Sequence, residues 1–300
     1  MRPVNVYYTE GKYQTRHWSA EKTYKYIFRL EDGLVEAGCF IHFDDLEMTN
    51  YTEHVIELSS SIGCAMKCKF CASSQIKKIR TLTPREIFQI FHYIYKDKVQ
   101  SFSNQTKTVV SFLGIGDLFF TMESVLAAIE MIGEVDECIL FNLSSCCWTS
   151  DMIKKIRQSG LENKIKTRQI TYVTPENKMI RQLIPGLPTL EFEFQNIITE
   201  MAIAFAPQKI RINYLMINGV NDSTEDFTMF AGMLKEIADK VVVRISKLNP
   251  TIAANMNNLC PSNTQNMQKF LKILKNHDIE AYLFYSYQDD KMNCGQLITE

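Results

Sequence analysis

The chain has 300 residues, enough for one large α/β domain or two small ones, and its 46% apolar and 22% charged residues fit a soluble globular protein. No apolar run nears the roughly 20 residues that span a bilayer, and the N-terminal MRPVNVYYTEGKYQTRHW lacks the apolar stretch of a signal peptide. A formal net charge of −1 excludes a global basic field of the kind nucleic-acid binders carry, and nine cysteines without a secretion signal imply reduced thiols in a cytoplasm, with no membrane partner.

In chain order, YKYIFRLEDGLVEAGCFIHF reads as two β-rich runs about Glu-Asp-Gly, a hairpin signal. HVIELSSS is a strand, and Thr83-Pro84-Arg85-Glu86 opens a helix through Tyr95 with an N-cap, a first-position proline and a third-position glutamate. KTVVSFLG is a buried strand before a helix over TMESVLAAIEMIG. ECILFNL is the next strand, and the helix TSDMIKKIRQSG ends at Gly160. KTRQITYV, KIRINYLMI and KVVVRISKL are further strands, separated by helices over LEFEFQNIITEMAIAF and STEDFTMFAGMLKEIA, the second capped by Asp222 with Glu225 three residues on. A last helix over NTQNMQKFLKILKNH precedes the strand EAYLFYSY. Six strand-then-helix units imply parallel strands with helical crossovers. The fold class is therefore α/β, an open or partial (βα)6 barrel with its chemistry at the carboxyl ends of the strands, behind a small N-terminal β-hairpin extension. Residues 1–50 are expected to form that extension, and residues 51–300 the core with its tail.

The segment GCAMKCKFCASS follows the first barrel strand and sets Cys64, Cys68 and Cys71 on one short loop. Three thiolates at intervals of three and two residues can hold an iron–sulfur cube, leaving one iron with a site for a substrate or cofactor. A structural zinc completed by another of the cysteines is the bland alternative. Such sites pair CxxC units from two places in the chain, and no second CxxC exists here. Lys67, Lys69, Lys77, Lys78 and Arg80 crowd the loop and suit either a phosphate-bearing substrate or a plain solvated surface. The five histidines form no metal-spaced pair, and the 13 tyrosines and 18 phenylalanines are read mainly as core.

The CxxxC-aromatic-C loop, with Phe70 before its third cysteine, resembles the signature of the radical S-adenosylmethionine (SAM) superfamily. From about residue 24 onward the chain resembles the RlmN/Cfr adenosine methyltransferase branch in particular. YIFRLEDG, SSSIGCAMKCKFC, GIGD (114–117), INGVNDS (217–223), KLNP (247–250) and NCGQL (293–297) recur in that branch's order. The resemblance implies a [4Fe–4S] cluster on Cys64, Cys68 and Cys71 whose open iron binds SAM and supplies the electron that cleaves it. It further implies a methyl-carrying cysteine, Cys294, from which a one-carbon unit passes to an sp² carbon of an adenine. In the SAM pocket it implies Phe70, Gly114, Gly116, Asp117 (where relatives have glutamate), Ser144, Thr171 and Asn249.

Two departures accompany the likeness. Glu57, seven residues before Cys64, occupies the place of the branch's disulfide-forming cysteine and is a candidate base. Cys39, Cys146 and Cys147 are conceivable substitutes for that cysteine. The residues before the hairpin are too few for the helical N-terminal domain with which RNA-modifying relatives grasp RNA. The expected acceptor is thus an adenine in RNA or in a nucleotide-like molecule, with flavodoxin or ferredoxin as electron donor. The alternative is a radical SAM reaction on a small molecule or peptide.

Overall fold

A computed structural model describes residues 1–12, 19–100, 107–174, 176–188 and 193–284. The Asp32-Gly33 turn joins β2 (Ala20–Arg29) to β3 (Leu34–Phe43) as the expected hairpin, closed by Leu30 N–H donating to the Gly33 carbonyl at 2.9 Å. Sequence reasoning did not mark the strand ahead of it, β1 (Pro3–Lys12), which pairs antiparallel with β2 along its length. Its Val4, Val6 and Tyr8 alternate on an exposed face.

Strand β4 (Tyr51–Leu58) changes the direction of the sheet: it runs antiparallel to β3 on one side and parallel to β7 (Lys107–Phe112) on the other. A two-residue ladder, β5 (Ser61–Ile62) with β6 (Arg80–Thr81), closes the base of the cysteine loop. The parallel run continues through β8 (Leu140–Ser145), β9 (Ile165–Tyr172), β10 (Ile210–Met216), β11 (Val241–Lys247) and β12 (Ala281–Phe284). The ten strands form one sheet, ordered β1-β2-β3-β4-β7-β8-β9-β10-β11-β12. This is the expected open parallel barrel, extended by an antiparallel meander.

The crossovers are helical. Helix α1 (Pro84–Ile94) begins as expected, with Thr83 Oγ1 accepting from Glu86 N–H at 3.2 Å and Glu86 accepting from Thr83 N–H at 2.8 Å. Helix α2 (Leu118–Gly133) starts three residues earlier than its apolar pattern suggests, because Asp117 caps it. Then come α3 (Ser150–Gln158), capped by Thr149, the short α4 (Asn177–Leu183), and α5 (Phe194–Ala204). Helix α6 (Thr224–Met233) corrects one expectation: its cap is Ser223 boxed with Asp226, not Asp222 with Glu225. Asp222 instead accepts from Ser262 Oγ at 2.6 Å and Asn266 Nδ2 at 3.1 Å, pinning this turn to the last helix. Helices α7 (Ile252–Met256) and α8 (Thr264–Asn276) complete the set.

Strand alternation divides the sheet into two faces. Ile56, Leu58, Phe141, Leu143, Ile170, Tyr214 and Ile245 belong to the continuous core under the helices. There Tyr172, Tyr214, Phe230 and Phe270 interlock at centroid distances of 4.5–5.8 Å. The intervening residues face the barrel interior. Among the described residues no helix is long and apolar enough to cross a membrane.

Candidate functional site at the carboxyl ends of the barrel strands

Glycine fixes the entry to the cysteine loop. Gly63 has φ +62°, and a Cβ there would lie 2.3 Å from the Lys78 carbonyl oxygen. The loop is then clamped from two distant segments, the end of α4 and the two caps of α7. Lys69 N–H donates to the Leu183 carbonyl at 2.8 Å, Thr251 Oγ1 to the Phe70 carbonyl at 2.9 Å, and Asn257 Nδ2 to the Lys69 carbonyl at 3.1 Å. Gly186 packs so tightly beneath it that a Cβ would come within 1.9 Å of the Ala65 carbonyl oxygen.

Part of the basic group around the loop is structural. Lys67 Nζ donates to the Ser74 and Ile76 carbonyls, and Lys78 and Arg80 pair with Asp32 at 3.0 and 2.8 Å. Arg80 also pairs with Glu86 at 2.9 Å.

Cys64, Cys68, Cys71 and Phe70 line one cavity of about 180 Å³ together with Gly114, Gly116 and Asp117. Ser144 from β8, Thr171 from β9 and Asn249 after β11 complete the set of expected pocket residues that reach it. Burial pushes the Cys64 and Cys71 thiols above their ordinary value, an effect that a bound cation would offset. Among the described residues no three His, Cys, Asp or Glu side chains converge as one metal ion requires. A cluster distributes its thiolates over separate irons, and three thiols on one cavity wall fit that donor set.

The glycines of the GIGD turn have a local reason as well. A Cβ on Gly114 would lie 2.8 Å from Ser59 N and Oγ, and one on Gly116 (φ +119°) 2.4 Å from Ser60 Oγ. The turn is laced to the Ser59–Ser61 segment, with Ile115 N–H donating to Ser59 Oγ at 3.0 Å and Ser60 N–H to the Ile115 carbonyl at 2.8 Å. Asp117 accepts from Phe119 N–H at 2.9 Å, Ser145 Oγ at 2.5 Å and Cys146 N–H at 2.9 Å, and also from the Cys146 thiol. Burial still holds its carboxyl above the ordinary range, against the pull of these donors.

Glu57 does not line the cavity; it lies on the interior face of β4, opposite Ser111 of β7. Burial pushes its carboxyl up to about 7, Lys25 and Arg244 pulling it down and Glu36 pushing it up. Lys25 and Glu36 form a buried ion pair at 2.8 Å. Of the conceivable substitute thiols, Cys146 lines the cavity and hydrogen-bonds Cys68, whereas Cys39 and Cys147 are packed away from it. Cys294 lies outside the described residues.

Sequence reasoning missed Ser145, Arg244, Asn213 and Ser246. The last three carry a signal: Arg211 and Asn213 in KIRINYLMI, and Arg244 and Ser246 in KVVVRISKL, sit two residues apart within apolar strands, marking the interior face.

No family model matches the chain. It is 26% identical over 283 residues to a protein of Cytophaga hutchinsonii named "Probable dual-specificity RNA methyltransferase RlmN", covering 93% of this chain and 73% of that one. Proteins of the same name from Streptococcus agalactiae (24%, 93% and 74% covered) and Malacoplasma penetrans (26%, 92% and 74%) are likewise similar. Among solved structures, a radical SAM methyltransferase from Sphaerobacter thermophilus superposes with a TM-score of 0.73 at 21% identity, over all of this chain and 82% of the other. Streptococcus suis SuiB bound to S-adenosylmethionine superposes with 0.55 at 13% identity, over 78% and 50%. The chain is thus similar to proteins named RlmN and shares the fold of the radical SAM methyltransferase from Sphaerobacter thermophilus.

Proposed function

We propose that this enzyme transfers a one-carbon unit to an sp² carbon of an adenine, in RNA or a nucleotide-like molecule. The observation that carries the reading is a convergence. Three thiols, the GIGD turn, Ser144, Thr171 and Asn249 meet around one cavity at the strand ends, in a chain whose relatives are named RNA methyltransferases. Cys64, Cys68 and Cys71 would hold a [4Fe–4S] cluster which, when bound, supplies the electron that cleaves SAM. A one-electron donor such as flavodoxin or ferredoxin, and a reducing cytoplasm, belong to the same reading. The antiparallel meander serves as an N-terminal extension to a radical SAM core.

The residues then have distinct duties. Asp117, on the cavity wall, offers its carboxylate to the ammonium group of SAM. Ser144 and Thr171 offer hydroxyls, and Asn249 an amide, to the rest of that ligand, while Phe70 walls the loop side. Glu57, on the interior face behind the cavity lining, is the candidate base for the proton that leaves the acceptor carbon, reached through a relay rather than by direct contact. Cys294 is the methyl carrier.

Anaerobic protein given SAM, dithionite and RNA is expected to form 5′-deoxyadenosine and new methyladenosine, and peptide mass spectrometry to find S-methylation at Cys294. Absence of SAM cleavage overturns the reading. A carboxylate at 57 in place of a thiol favours a second reading, a small-molecule or peptide acceptor. SAM cleavage with unchanged RNA nucleosides would select it.

A further inference from the structure

Cys146 follows the last residue of β8 and lines the cavity. Its backbone N–H donates to Asp117 Oδ2 at 2.9 Å, which holds the residue against the turn after β7. The thiol lies within hydrogen-bonding reach of two groups, the sulfur of Cys68 and the carboxylate of Asp117. One S–H proton therefore serves two acceptors, and only one of them can have it at full strength. Both are on the wall of the same cavity, one in the cysteine loop and one in the GIGD turn.

The Asp117 side of that choice is crowded. Phe119 N–H, Cys146 N–H, Ser145 Oγ and the Cys146 thiol supply four donors, and a carboxylate has about four lone-pair sites. A further donor arriving from the cavity must displace one of them. The two backbone N–H groups are fixed, one by the cap of α2 and the other by the chain leaving β8. The Ser145 hydroxyl has another acceptor in the Cys147 carbonyl at 2.8 Å, but its bond to Asp117 is the shorter, at 2.5 Å. A thiol is the weakest donor of the four, and it has the Cys68 sulfur to turn to. The thiol is the group that yields.

We propose that Cys146 is a positioning residue whose thiol turns from Asp117 to the Cys68 sulfur when the amino group of SAM takes its place on the carboxylate. The proposal rests on the [4Fe–4S] and SAM reading of this cavity. A hydrogen bond to a cluster-ligating sulfur stabilises the more negative, reduced state and so raises the reduction potential. Filling the SAM pocket is thereby coupled to ease of reduction. By linkage, the ligand binds reduced protein more tightly by the same factor. The electron comes from the external donor, and Cys146 keeps its proton throughout.

The test uses anaerobic, cluster-loaded protein and two stable ligands. S-adenosylhomocysteine keeps the amino group of SAM but has no sulfonium to cleave, and 5′-methylthioadenosine keeps the nucleoside without the amino group. Reduction is titrated with dithionite and followed by electron paramagnetic resonance. S-adenosylhomocysteine is expected to favour reduction of the wild type about tenfold more than that of Cys146→Ala, a difference of about 59 mV for a one-electron couple. Cys146→Ser keeps a donor and should recover most of that difference. 5′-Methylthioadenosine should act alike on all three proteins. Each shift is taken within one protein, so a general effect of the substitution on the loop cancels. The wild type supplies a second readout, since its infrared S–H stretching band should move with S-adenosylhomocysteine and not with 5′-methylthioadenosine. Equal ligand shifts in wild type and Cys146→Ala overturn the proposal, as does an S–H band that ignores S-adenosylhomocysteine. SAM cleavage is read separately and bears on the underlying reading alone.

Discussion

Asp117 carries two duties at one position. Its carboxylate caps α2 through Phe119 and ties Ser145 of β8 and the following Cys146 to the turn after β7. Asparagine there would turn an N–H₂ toward groups that are themselves donors. Asp117→Asn is expected to cost about 1–3 kcal/mol in urea unfolding and to weaken SAM binding about tenfold in equilibrium dialysis. Glu57 has the opposite character, a carboxyl whose ionisation the fold opposes. Its folded value of about 7 exceeds the model-peptide 4.5. Below 4.5 both states are protonated and nothing is gained or lost. Between 4.5 and 7 the folded state holds the extra proton, so stability falls as pH rises. Above 7 the full penalty, roughly 3 kcal/mol, is present. Glu57→Gln should therefore leave unfolding at pH 4.5 unchanged and raise stability at pH 8. Equal effects at both pH values would remove the buried-carboxyl assignment.

At the level of elements, the cysteine loop is held by parts of the chain far from it in sequence. Gly186 sits after α4 and Thr251 before α7, and neither lies in a recognisable motif. A methyl at 186 meets backbone, which cannot move aside without displacing the loop. Gly186→Ala is expected to leave the far-ultraviolet spectrum unchanged while lowering iron retained after anaerobic reconstitution, measured by metal analysis. Helix α1 offers a milder case. Thr83→Ala removes a cap that also orients Glu86 toward Arg80, and should cost about 1 kcal/mol. The aromatic packing beneath β9 and β10 is far more expensive to break. Phe270 touches Tyr214, Phe227 and Phe230, and Phe270→Ala should cost about 3–5 kcal/mol.

Over the whole molecule, the meander and the barrel share one sheet and one interior. Lys25 of β2 and Glu36 of β3 bear electrostatically on Glu57 of β4, and the Ser59 hydroxyl donates to the Glu36 carbonyl at 2.6 Å. Removing residues 1–50 would expose the β4 edge and strip these groups from the interior. The fragment 51–300 is expected to lack a cooperative unfolding transition, and a sharp transition would mark the meander as dispensable.

Much of this was written locally. The period-two and period-3.6 patterns, the Thr83-Pro84 start and the spacing of Cys64, Cys68 and Cys71 each depend on residues within a few positions of one another. They determined the alternation of strands and helices and the placing of three thiols on one short loop. The frame of one cap was ambiguous, since Asp222-Glu225 and Ser223-Asp226 both carry the box pattern, and only the tertiary bonds of Asp222 to Ser262 and Asn266 decided between them. The same holds for which spare thiol meets the cavity, which glycines are sterically required, and the pairing of Arg244 with Asn213. These are relations between chain segments separated by tens to hundreds of residues, and side-chain burial and contact across such distances exist only once the sheet has closed around its interior.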